Sequence, residues 1–125
     1  RFGMPATHAV NALSKVIDGV KRSPESVYKM ISENEIASVV KGIDRVNNQG
    51  SMLGVFSLGK QKEYIEETET FVLPMLKTAR RRFPRQEPAY ENIKHILVRE
   101  IRLFRAMHDE IEKGLAAAAF ADDDR

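Results

Sequence analysis

The chain has 125 residues, 42% of them hydrophobic, with no cysteine and no tryptophan. That length sets one domain, the missing cysteines exclude disulfides and thiolate metal sites, and a net charge of only +2 does not by itself call for nucleic acid. No apolar run approaches the ~18 residues of a membrane span and no signal core follows the N-terminus, so the expected compartment is intracellular, cytoplasmic by default.

Residues 1–5 are expected to be flexible, with Arg1-Phe2-Gly3 reading as a foreign leader before Met4 or as a cut in a longer chain. Residues 6–22 predict a first amphipathic helix. Ala6, Ala9, Val10, Leu13, Val16, Ile17 and Val20 share one face, and Asn11, Ser14, Lys15, Asp18, Lys21 and Arg22 cover the other. Ser23-Pro24-Glu25 supplies a capping hydroxyl, a proline and an acid in the order that starts a helix. This short second helix runs to Ile31 and buries Val27, Met30 and Ile31. Ser32-Glu33-Asn34-Glu35 fits a capping box and opens a third helix. Its buried side is expected to be Ile36, Val39, Val40, Ile43 and Val46. Two short helices invite comparison with a DNA-reading helix pair, but their joint lacks glycine and Glu35, Lys41, Asp44 and Arg45 give mixed charge where phosphate contacts need cations.

Residues 51–60 mix apolar side chains with Gly54 and Gly59. Met52, Leu53, Val55 and Phe56 are expected either to tuck into the domain or to wait as a docking element. Residues 61–83 predict one helix, because Tyr64, Ile65, Thr68, Phe71, Val72, Met75, Leu76 and Ala79 keep phase past Pro74. Pro74 falls on the opposite face, where it bends a helix without ending it. Glutamates early and arginines late match the helix dipole.

Residues 88–120 form the longest segment of one helical period, with Tyr90, Ile93, Leu97, Ile101, Phe104, Met107, Ile111 and Leu115 in one inward arc. A short link before it makes it an antiparallel neighbour of the preceding helix. Glu100 and His108 interrupt the arc. The first reading of both is core-edge groups with hydrogen-bond partners. A working carboxylate and imidazole is the alternative, but two turns separate them, about 12 Å, too far for one acid–base pair. Residues 117–125 are expected to fray as an acidic tail.

The expected fold is therefore all-α: a single-domain bundle of about five helices, residues 1–125, ending in a long antiparallel hairpin. Charge is segregated along that hairpin. Residues 75–105 hold nine basic and three acidic side chains, and residues 106–125 hold two basic and six acidic. Lys77, Arg80, Arg81, Arg82, Arg85, Arg99, Arg102 and Arg105 make a basic face suited to phosphate or carboxylate. Alternatively they form a solvated face paired with Glu91, Asp109 and Glu112. No glycine-rich phosphate loop, no Cys nucleophile and no Ser beside a His is present, and His8, His95 and His108 share no metal-ligand spacing. The sequence thus predicts a non-enzymatic adaptor, regulator or assembly subunit without cofactor or metal. It would dock a protein partner with an acidic segment through the arginine face and the 51–58 connector. Homo-oligomerisation follows if basic face meets acidic tail, and nucleic acid on the same arginines is the alternative.

Overall fold

The computed structural model of the chain describes residues 16–17 and 20–123, with side chains from Arg22 to Ala121. Most of the predicted first helix lies outside these residues. Where its end is described, Val16–Ile17 (β1) pairs antiparallel with Val20–Lys21 (β2), so the helix does not run to residue 22. Apart from this two-residue ladder, regular structure among the described residues is helical.

The first helix, α1 (Pro24–Ser32), starts as its sequence dictates. Ser23 Oγ accepts the Ser26 N–H at 3.2 Å, satisfying one of the orphan donors of the first turn. Helix α2 (Glu35–Gly50) is capped by Asn34, whose Oδ1 accepts from the Ala37 N–H at 2.9 Å. The predicted Ser32 capping box does not form. Ser32 ends α1 instead, buried, donating to the Lys29 carbonyl at 2.7 Å. A turn over residues 51–57 carries Gly54 at φ 80°, a left-handed conformation that suits glycine.

Helical structure is then continuous from Leu58 to Arg82, in three pieces. Helix α3 (Leu58–Glu67) is capped by Ser57, a π-helical turn spans Thr68–Val72, and α4 (Leu73–Arg82) follows. Pro74 has no N–H to donate and its ring crowds the preceding turn. The chain accommodates this by widening one turn, with the Leu73 N–H reaching back to the Thr68 carbonyl. Pro74 itself stays on the exposed side, as its phase required. A 3₁₀ turn (Pro84–Gln86) leads into α5 (Glu87–Asp123). Its 37 residues span roughly 55 Å. Counting Leu58–Arg82 as one, the described residues form four helices rather than five.

Two apolar clusters form the core. Val27, Tyr28 and Ile31 of α1 meet Ala37, Val72, Met75, Leu76, Ala79, Tyr90, Ile93 and Leu97 in the larger one. Met52, Ile65, Ile101 and Phe104 make the smaller, with Phe56 and Tyr64 packed against it. The inward arc of α5 holds from Tyr90 to His108 and then ends, because Ile111 and Leu115 are 43% and 62% exposed. The expectation that both face inward is corrected: nothing among the described residues covers α5 beyond that turn.

The second correction concerns α2. Its apolar stripe is turned outward, with Ile36, Val40 and Ile43 nearly half exposed, while Val39 and Val46 pack only as an edge. The buried side is Ala37, Ser38, Gly42, Arg45 and Gln49. Small residues allow the reason to be seen in distances: a Cβ on Gly42 would lie 3.0 Å from Ile93 and 3.2 Å from Leu76. Close approach to α4 and α5 wins over burial of the branched side chains, and polar partners then meet Ser38, Gln49 and the Nη2 of Arg45, whose Nε and Nη1 are buried without a hydrogen-bond partner.

Candidate functional site

Those partners form a polar line through the interior. Ser38 Oγ and Tyr90 Oη lie 2.7 Å apart. Arg45 is only 3% exposed; its Nη2 donates to Tyr28 Oη at 3.1 Å and to Glu67, and its guanidinium sits 3.9 Å from the centre of the Tyr64 ring. Tyr28 in turn stacks on Phe71, ring centres 5.4 Å apart. Gln49 Nε2 donates to the Leu97 carbonyl and to Glu100, at 3.2 and 3.1 Å, and Gln49 Oε1 accepts from Thr68 at 3.0 Å. At the far end His108 and Gln61 lie 2.8 Å apart, and Gln61 Nε2 donates to the Phe56 carbonyl at 3.0 Å.

Burial pushes the Tyr28 hydroxyl up to about 12, with Arg45 opposing it. For Arg45, burial disfavours the charge, but Tyr28, Tyr64 and Glu67 outweigh it and hold the guanidinium protonated. Burial raises the Glu100 carboxyl against the Gln49 hydrogen bond, and it lowers the His108 imidazole, helped by nearby Lys62. Each of the two polar residues of the α5 arc is thus met by a glutamine from another helix, Gln49 for Glu100 and Gln61 for His108. Among the described residues, the hydrogen-bond partners of the two side chains are these glutamines alone. The line as a whole was hidden in the sequence. The spacing of Ser38, Gly42, Arg45 and Gln49 at helical period was its one signal, and the apolar stripe beside it was stronger.

The predicted basic face divides. Arg80 is ion-paired with Glu91 and Arg105 with Glu69, and Arg85 lies 3.7 Å from Glu35. Of these partners only Glu91 was anticipated. Lys77, Arg81, Arg82, Arg99 and Arg102 are exposed and make no ion pair among the described residues. Lys77 and Arg80, with Lys94, border a cleft of about 400 Å³ between α4 and α5, whose other walls include Leu73, Leu76, Tyr90 and Glu91. Arg105 and His108 border a second, of about 510 Å³, with Lys62, Glu66, Glu69 and Asp109. The connector divides too. Met52 is 1% exposed and belongs to the core, Phe56 is half-buried, and Leu53 and Val55 point outward at 56% and 74% exposure. Met52 is therefore removed from the docking surface.

Among the described residues no three or more His, Asp or Glu side chains converge as metal ligands, and no helix is long and apolar enough to cross a membrane. Comparison with protein-family models, curated proteins and solved structures finds no match to the chain.

Proposed function

We propose that the protein is a non-enzymatic interaction module that docks an acidic segment of a protein partner. The observation that carries this reading is the division of the cations. On α4 and α5 some are ion-paired within the fold, whereas Lys77, Arg81, Arg82, Arg99 and Arg102 stand exposed and unpaired among the described residues. Unpaired arginines keep their two-pronged donor geometry available for carboxylates. Leu53 and Val55, beside Gly54, add apolar contact area. In this reading the Leu58–Arg82 helix and α5 act as one antiparallel hairpin. The Arg80–Glu91, Glu69–Arg105 and Lys62–Glu112 pairs support it, since partners climb on one helix as they descend on the other.

Nucleic acid on the same cations remains the second reading. It is disfavoured because Tyr90 and Phe104 are buried and Phe83 half-buried, which leaves these rings no stacking platform. Affinity capture from the native cell, with and without nuclease, tests both. The triple variant K77E/R81E/R82E spares the Arg80 pair and is expected to retain helicity but lose its captured protein partner. Capture that disappears with nuclease transfers the reading to nucleic acid, with an affinity that falls steeply with salt. Capture unchanged in the variant removes this surface.

A further inference from the structure

Helices α2 and α5 run side by side in the same direction. Their contacts climb together: Glu35 with Gln86, Ser38 with Tyr90, Gly42 against Ile93, and Gln49 with Leu97 and Glu100. One side of this pair is covered. Arg45 of α2 meets Tyr28 of α1 and Glu67 of α3. On the same side α5 is tied to the Leu58–Arg82 helix by the Lys62–Glu112, Glu69–Arg105 and Arg80–Glu91 pairs. At about 100° per residue, Ile36, Val40 and Ile43 fall on the other side of Gly42 from Arg45. Ile96, Leu103 and Met107 fall on the other side of Ile93 from Glu91 and Arg105. Because the helices are parallel, these two sides face the same way and make one apolar face. Ile36, Val40 and Ile43 are nearly half exposed and Leu103 is 61% exposed, so no described element covers it.

The shape suits a helix. Ile36, Val40 and Ile43 stand at i, i+4 and i+7, a ridge that fits the groove of another helix. Ile36, Val39 and Val40 border a hollow of about 540 Å³ at one end of the face, closed by Glu35, Arg85 and Gln86. An extended peptide has no comparable edge to join, since the one ladder among the described residues pairs two residues with two. Charge selects which helix. The α5 border of the face is cationic. Arg85 is 87% exposed, 3.7 Å from Glu35, and Arg99 lies by phase at the outer edge of the Ile96–Leu103 stripe, exposed and without an ion pair among the described residues. The α2 border carries Asp44 instead. Acids on the occupant therefore belong on the flank that lies over α5.

We infer that this face seats an amphipathic helix of a foreign protein, its apolar stripe on Ile36, Val40, Ile43 and Leu103 and its carboxylates towards Arg85 and Arg99. The inference rests on the reading that the partner is acidic. It adds a helical contact seated across the α2–α5 pair from α4, apart from Lys77, Arg81 and Arg82.

The test is fluorescence anisotropy on the full chain with a labelled peptide about five helical turns long. It carries leucines at i, i+3, i+4 and i+7 and glutamates along one flank; its twin has lysines in place of the glutamates. The glutamate peptide is expected to bind at least about tenfold tighter than the twin. V40S/I43S is expected to weaken that binding at least about tenfold with helicity retained. The peptide carries only this contact, so K77E/R81E/R82E is expected to leave it unchanged. R99E is expected to narrow the preference between the twins, which keeps the inference open to refutation should V40S/I43S fail to fold. Binding lost in K77E/R81E/R82E but kept in V40S/I43S overturns the seat and leaves the acidic reading standing. Equal binding of the twins overturns both. Binding of neither peptide overturns the inference, while capture from the cell still decides the acidic reading. A light-scattering mass above 14.2 kDa that V40S/I43S returns to one chain gives the face to a second copy. Tighter peptide binding in V10E/L13E gives it to the chain's own residues 6–15. Either result overturns the inference.

Discussion

At Gly42 the Cβ of an alanine would meet two carbons of Ile93 at 3.0 and 3.1 Å and one of Leu76 at 3.2 Å. Alanine in a helix gains about 1 kcal/mol of propensity over glycine, and overpacking a close helix contact costs about 1–3 kcal/mol. Three carbons of two side chains give way at once here, so overpacking dominates. G42A is expected to lower stability by about 1 kcal/mol, read as a lower urea midpoint at unchanged slope. His108 makes a second prediction at this scale, with a sign. Burial lowers its folded-state pKa below the usual 6.5, so the unfolded chain takes up the proton first. Its contribution is complete above 6.5 and is lost as pH falls through the folded value. Lys62, Arg105, Asp109 and Glu112 are the charged groups around it. Glu100 works in the opposite direction, because its raised pKa gives a contribution present below 4.5 and lost as pH rises through the folded value. The difference between the wild type and H108Q isolates the histidine: the variant is expected to lose less stability between about pH 7 and pH 5, measured by denaturant titration at each pH.

Helix α2 is the element on which sequence and structure part most sharply. Ile36, Val40 and Ile43 repeat like core positions yet are 46%, 45% and 49% exposed, whereas Ile93 on α5 is 6% exposed and seated over Gly42. The contrast gives a paired expectation. V40S changes stability by less than about 1 kcal/mol, as surface substitutions do, and I93A costs about 2–5 kcal/mol as a core truncation. Equal losses by thermal or urea unfolding would return the apolar stripe of α2 to the core. The orientation was not legible because two periodic stripes compete on one helix. The partners that decide between them, Tyr90 for Ser38 and Leu97, Glu100 and Thr68 for Gln49, come from distant parts of the chain. By contrast, the Tyr90–Phe104 arc of α5, the Ser23 cap and the exposed side of Pro74 were all readable, since each rests on local spacing or local chemistry. The basic face was half readable. Exposure follows from helical phase, but Arg85 and Arg105 find carboxylates on other elements, Glu35 and Glu69, that no spacing on their own helix discloses.

For the whole molecule the decisive feature is the mismatch between one long helix and a shorter bundle. Core burial on α5 ends at His108, and residues 109–121 are all exposed. Removing exposed helix forfeits little burial free energy, which scales with the apolar area taken from water. A chain ending at Lys113 keeps the Lys62–Glu112 pair, itself worth under about 1 kcal/mol at the surface. It is therefore expected to unfold within about 1 kcal/mol of the full chain at dilute, single-chain concentrations, while circular dichroism loses the signal of the missing turns. A truncated chain that melts far below the full one even when dilute would instead mean that these turns hold the bundle together.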